Sequence, residues 1–187
     1  MSNAIITERV ARSLVVRFNR PEIRNPLSVE VIEELSRILD DVAAERVIFT
    51  GCGDVFASGA NLNEIAAVTT DDSGEFAQRG QRLMQQIADL PALTVAAING
   101  FCFGGALDLA LACDRRVAAP NAEFCHPGVG LGIITGWGGT QRLPWLIGEA
   151  FALEMFLTAR RVSASEASRF GLIDEISDDP VGVSLAK

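Results

Sequence analysis

Two short glycine-rich segments carry the first hint of chemistry, FASGAN at residues 56–61 and FGG at residues 103–105. Each follows an apolar run that reads as a strand and leads into a segment that reads as a helix. At such a hand-over backbone N–H groups are free, and the helix N-terminus adds positive potential. Two donors converging on one point would polarise a carbonyl as it becomes an enolate. The same pattern also serves ordinary turns. Phosphate is the competing ligand, but G-x-x-x-x-G-K-[ST] is absent, and GVGLG at residues 128–132 lacks the flanks of a dinucleotide fingerprint. Asp108 stands on an otherwise apolar helix just past FGG. Burying an unpaired carboxylate is expensive, so Asp108 is either a proton handler or the partner of a nearby arginine. His126, the only histidine, titrates near neutrality and is a second acid–base candidate, set against a plain packing role. Glu64, one helical turn beyond Ala60, is a third candidate acid.

These residues need a frame. Residues 5–19 read as two strands joined by a tight turn at 11–13, and Pro21 and Pro26 make residues 20–27 a loop. Ser28 is a candidate N-cap for a helix carrying Val31, Leu35, Ile38 and Val42 on one face. Residues 47–50 and 93–98 read as buried parallel strands. Between them Phe76, Gly80, Leu83, Met84, Ile87 and Leu90 mark a second helix, closed by Pro91. A helix over about 105–113 follows the FGG turn, then short strands at 116–119 and 122–125. The glycine-rich loop 128–143 precedes a helix through Leu146. Ser163 and Glu166 form a capping-box pattern for a short helix closed by Gly171, and residues 172–176 read as a strand. Strands alternating with helices predict an α/β fold with a largely parallel sheet. The core is expected over residues 1–176, with residues 177–187 a tail too short and polar to add a packed element.

Composition narrows the function. A chain of 187 residues favours one domain, and 49% hydrophobic with 21% charged residues excludes a disordered or collagen-like chain. Sixteen Lys+Arg against 24 Asp+Glu give a formal charge of −8, which argues against nucleic-acid and anionic-membrane partners. Residues 91–107 carry no charge, but Asn99, Gly100, Gly104 and Gly105 interrupt them and Asp108 follows, so a buried strand–loop–helix is expected rather than a membrane span. The N-terminus shows no signal-peptide pattern. Four cysteines without a C-x-x-C pair, beside one histidine, argue against a zinc cluster or disulfide scaffold. They read as small buried hydrophobes in a reducing, cytoplasmic setting.

FASGANLNEI resembles the first signature of the crotonase superfamily, the enoyl-CoA hydratase/isomerase group. AINGFCFGGALDLALACDRRVAA is similar to its second signature and PGVGLGIITGWGGTQRLPWLIG to its third. RPEIRNPLS and LTARRVSASEASRFGLIDEI match its N-terminal loop and a later segment, so the resemblance runs in register over residues 6–176. It implies a crotonase-like α/β fold, a spiral of repeated ββα units assembled as a trimer or hexamer. It also implies an acyl-CoA thioester as substrate, with coenzyme A part of that substrate and no permanently bound cofactor. The thioester oxygen would lie between the N–H groups of Ala60 and Gly105. Ser58, Asn61, Ile23 and Arg24 would lie beside the CoA moiety, Arg24 within reach of a phosphate.

The chain departs from the family pattern at two places. Asp108 stands where a hydratase carries its first glutamate, and its shorter side chain would draw the carboxylate back by roughly 1 Å, enough to cost about a hundredfold in rate. Gly128 stands where the second glutamate belongs. His126, two residues earlier, would face the vacated space if that stretch were extended. Trp137 reads as wall or core rather than chemistry. The family usually continues with further helices beyond the LIDEI segment, so an exposed apolar patch is expected here. An enzyme of the hydratase/isomerase type, with Asp108 as proton handler, is the leading reading. The alternatives are an acyl-CoA decarboxylase and a catalytically degenerate acyl-CoA-binding subunit.

Overall fold

A computed structural model describes residues 4–186; the ends of the expected core and tail, residues 1–3 and 187, lie outside them. Strands β1 (Ile5–Val10) and β2 (Ser13–Phe18) form an antiparallel hairpin in the register Ile5↔Phe18. Strand β3 (Pro26–Leu27) leads into α1 (Val29–Asp40), where Ser28 Oγ accepts the Val31 N–H at 3.3 Å as the expected cap.

From here the chain winds in turns of one pattern. A long strand joins a large sheet, a short strand joins a small one, and a helix packs back across them. The first turn is β4 (Arg46–Gly51), β5 (Val55–Ala57), the two-residue β6 (Gly59–Ala60), α2 (Leu62–Ala67) and α3 (Ser73–Ala88). The second is β7 (Leu93–Ile98), β8 (Phe101–Phe103) and α4 (Gly105–Ala112). The third is β9 (Arg115–Ala118), β10 (Glu123–Cys125), then α5 (Gly139–Ile147) and α6 (Glu149–Thr158). Strand β11 (Val162–Ser163), α7 (Ala164–Arg169), β12 (Glu175–Ile176) and α8 (Pro180–Ala186) complete the chain. The repeated ββα winding is therefore present. The large sheet runs β1-β2-β4-β7-β9-β12, parallel from β2 onward, and the small one β11-β10-β8-β5.

Successive turns are clamped by side chains. Asn99 Oδ1 accepts the Gly51 N–H at 2.9 Å while its Nδ2 donates to the Gly53 carbonyl at 2.9 Å, tying the end of β7 to the end of β4. Buried Asn25 accepts the Arg20 N–H at 2.7 Å and donates to the Val55 carbonyl at 3.0 Å. Helices α1, α3 and α4 cover one face of the large sheet with Leu35, Leu83, Met84, Ile87 and Leu107. No helix among the described residues is long and apolar enough to cross a membrane. All four cysteines are free, three of them buried.

The tail departs from expectation. Helix α8 lays Val181, Val183 and Leu185 against Val15, Ile48, Val95, Ala97 and Val117 on the other face of the large sheet. Its polar head is the reason it forms. Asp179 Oδ1 accepts the Gly182 N–H at 2.9 Å, Pro180 opens the helix, and Arg46 closes it by donating to the Leu185 carbonyl at 2.9 Å. The last strand is also shorter than the predicted 172–176, since Leu172 and Ile173 turn into the core before β12 begins.

Candidate active site

The two glycine-rich segments meet. A Cβ on Gly59, whose φ is +86°, would lie 2.6 Å from the Phe103 carbonyl oxygen and 2.7 Å from the Gly105 nitrogen, so only glycine lets the turns come this close. Ala60 ends β6, and Gly105 opens α4, where the first N–H groups lack an intrahelical acceptor. Both line a cavity of about 560 Å³. Its other walls are largely apolar: Leu62 and Ile65 from α2, Phe76 from α3, and Leu131, Ile133, Ile134 and Trp137 from the loop before α5. Trp137 is wall, as its sequence context suggested, with Phe76 at 6.3 Å between ring centroids.

Ser58 and His126 line this cavity with Ala60 and Gly105. Asp108 lies one layer deeper: it is fully buried and reached past His126 and Thr135, both of which line the cavity. Its partner is a hydroxyl rather than an arginine, for Thr135 Oγ1 donates to Asp108 Oδ2. His126 Nε2 stands 3.7 Å from Oδ1. Burial pushes the Asp108 carboxyl up to about 7, against the pull of the Thr135 hydroxyl, the Trp137 backbone N–H and the Arg142 charge. Burial also takes His126 down to about 4, so its imidazole is neutral at pH 7, and neither ring nitrogen has a hydrogen-bond partner among the described residues.

Of the four residues expected beside the CoA moiety, Ser58 lines the cavity and three do not. Ile23 and Arg24 are exposed on the loop before β3, which is tied to the site where the Ser58 N–H donates to the Arg24 carbonyl at 3.0 Å. Asn61 caps α2, its Oδ1 accepting the Asn63 N–H at 2.9 Å. Glu64 is corrected as a candidate acid: its carboxylate accepts the Val29 N–H at 2.9 Å, at the N-terminus of α1. The stretch after His126 is not extended either, because Pro127–Leu131 coils into a 3-10 turn. A Cβ at Gly128 would sit 2.5 Å from the Ile133 carbonyl oxygen, so the loop occupies the place a second glutamate would need. Thr135 was missed from sequence. It is one threonine in a glycine-rich loop, and its partner lies 27 positions away.

The sequence profile of the enoyl-CoA hydratase/isomerase family matches residues 8–183. This chain belongs to that family. Crotonyl-CoA hydratase from Syntrophomonas wolfei is 39% identical over 177 residues, covering 92% of this chain and 68% of the relative. Short-chain-enoyl-CoA hydratase from Clostridium acetobutylicum is 34% identical, over 99% of this chain and 73% of that one. The crystal structure of enoyl-CoA hydratase from Bacillus anthracis superposes with a TM-score of 0.90 at 36% identity, covering 98% of this chain and 73% of that chain. This member of the enoyl-CoA hydratase/isomerase family thus shares the winding of strands and helices of that structure. It combines a shortened, buried Asp108, a bare Gly128, and a loop that brings Thr135 and His126 to the cavity.

Proposed function

We propose that this chain binds an acyl-CoA thioester in the cavity and forms its enolate, with the thioester oxygen held by the N–H groups of Ala60 and Gly105. Asp108 handles the proton. The observation that carries this reading is one buried carboxyl, held near pH 7 and hydrogen-bonded to Thr135, which lines the cavity together with Ala60 and Gly105. A group that titrates near the working pH both takes and returns a proton efficiently. Moving a double bond from the 3- to the 2-position of an enoyl thioester needs one such group, because the proton removed from C2 returns at C4. Hydration needs a second group to direct water, and Gly128 offers none. Isomerisation is therefore the favoured reaction. Hydration is the second reading, favoured by neutral His126, which lines the cavity and whose ring nitrogens have no hydrogen-bond partner among the described residues. Ser58, Asn61, Ile23 and Arg24 flank the CoA moiety in this reading. Exposed apolar side chains on α5 and α6, among them Trp145, Phe151 and Leu157, are covered by neighbouring copies in a trimer or hexamer.

Purified protein offered 3-enoyl-, 2-enoyl- and malonyl-CoA esters, with products read by mass spectrometry, tests the reading. The expected result is 3-to-2 isomerisation that falls about 10²–10⁴-fold in Asp108→Asn. Water addition abolished in a His126→Ala variant would assign hydration, and release of carbon dioxide from malonyl-CoA would assign decarboxylation. Thioester binding with no turnover of any ester would overturn the enzymatic reading and leave a binding subunit.

A further inference from the structure

Asp108 cannot touch a substrate directly, because its carboxyl is fully buried and the cavity is lined by its neighbours. On one side α5 seals it: a Cβ on Gly139 would come within 2.1 Å of Oδ1. On another, His126 Nε2 stands at 3.7 Å, beyond hydrogen-bond range. Among the described residues the Thr135 hydroxyl is the side-chain group that both hydrogen-bonds the carboxyl and belongs to a residue lining the cavity. Its loop is held in place: Gln81 Nε2, from α3, donates to the Gly136 carbonyl at 2.7 Å, and the Trp137 backbone N–H is directed at Asp108.

We propose that Thr135 is a catalytic residue, the relay through which Asp108 exchanges its proton with the thioester. The inference rests on the enolate-forming reading above. A hydroxyl has one donor hydrogen and two acceptor lone pairs, so it can accept a proton as it gives one away. The C–H bond beside the thioester carbonyl breaks, its electron pair moves to the carbonyl oxygen, and the enolate is held by the Ala60 and Gly105 N–H groups. The carbon's proton passes to Thr135 Oγ1 while the hydroxyl's own proton passes to Asp108 Oδ2. The carboxylate becomes a carboxylic acid, the threonine is unchanged, and the negative charge now lies on the enolate. Return of a proton to carbon runs the same path backwards. The other titratable or charged groups around Asp108 are His126 beyond β10, Cys102 on β8 and Arg142 on α5; none of them bridges it to the cavity by a hydrogen bond.

The test is exchange of the C2 protons of butyryl-CoA in heavy water, followed by proton NMR, with thioester affinity measured by calorimetry. Thr135→Val is expected to slow exchange about a hundredfold, with butyryl-CoA affinity and melting temperature close to wild type. Thr135→Ser is expected to restore the rate to within a few-fold. Thr135→Ala serves the same comparison where valine disturbs the loop. Wild-type exchange rates in Thr135→Val beside slow exchange in Asp108→Asn would overturn the relay while leaving the enolate reading intact. So would equal slowing in Thr135→Val and Thr135→Ser, which marks a packing role. Wild-type protein that binds butyryl-CoA without exchanging its protons would overturn the enolate reading and the relay together.

Discussion

Two walls of the same cavity are made by different means. The wall at residues 58–60 and 104–105 offers main chain, fixed by strand ends, a helix start and a glycine contact. The adjoining wall, residues 126–137 with Asp108 behind it, offers side chains borne on a 3-10 turn and an irregular loop. Main-chain donors do not depend on which side chain occupies a position, so such a wall persists while residues around it change. In the reading proposed above the side-chain wall sets the reaction, and the two departures from the family pattern read in the sequence, Asp108 and Gly128, both fall on this side. The difference teaches that, in the proposed reading, the turns hold the thioester and the loop selects its reaction.

The strongest way to break this division is to disturb the main-chain wall with one methyl group. Gly59→Ala adds a Cβ 2.6 Å from the Phe103 carbonyl, at a φ that alanine adopts at a cost. The turns must separate, and the Gly105 N–H leaves its place. Turnover is expected to fall about 10²–10³-fold, as for loss of an oxyanion donor, while circular dichroism shows the fold retained. Near-normal turnover would mean that the contact of the two turns does not set donor geometry.

The side-chain wall is sharpened by the pH dependence of stability. Burial raises Asp108 from 3.8 to about 7, so the folded chain keeps a proton that the unfolded chain loses. That contribution is complete below about pH 3.8 and is lost as pH rises to about 7. His126, lowered from 6.5 to about 4, works the other way: its contribution is complete above 6.5 and lost as pH falls towards 4. At about 1.4 kcal/mol per pKa unit each amounts to roughly 3–5 kcal/mol, the larger share from Asp108. Between pH 4 and 6.5 the two slopes oppose one another in the wild type. Asp108→Asn should therefore leave stability that rises with pH across this range relative to wild type, and His126→Gln stability that falls. Urea denaturation at pH 4.5 and 6.5 reads both. Variants that track the wild type would place the titrating groups elsewhere and remove the electrostatic distinction between the walls.

The main-chain wall was legible in the sequence because its signals are local. FASGAN, FGG, the Ser28 cap and the Ser163–Glu166 capping box each lie within a few residues of what they shape. Helix α6 was not legible: GEAFALEMFLTA is apolar around most of its circumference, with Phe151, Leu153 and Leu157 exposed, and shows no single stripe. Helix α8 was hidden by its own start signal, since Ser177, Asp178, Asp179 and Pro180 read as a polar tail until Asp179 is seen to cap it. The Asp108–Thr135 pair joins a helix to a loop 27 residues on, a distance that no local pattern encodes.

Glu64 gives the smallest effect and the cleanest control. Its position one turn beyond Ala60 invites an acid–base role, yet spacing along a helix fixes neither direction nor partner. Here the carboxylate turns to α1 and accepts the Val29 N–H, where the helix N-terminus favours negative charge. Glu64→Gln keeps the shape and an acceptor oxygen but gives up the charge. The expected cost is about 0.3–1 kcal/mol of stability, read as a small drop in melting temperature, with turnover within twofold of wild type. A large loss of turnover at unchanged stability would place a working carboxylate on the main-chain side. The division between a wall that holds the thioester oxygen and a wall that moves the proton would then fail.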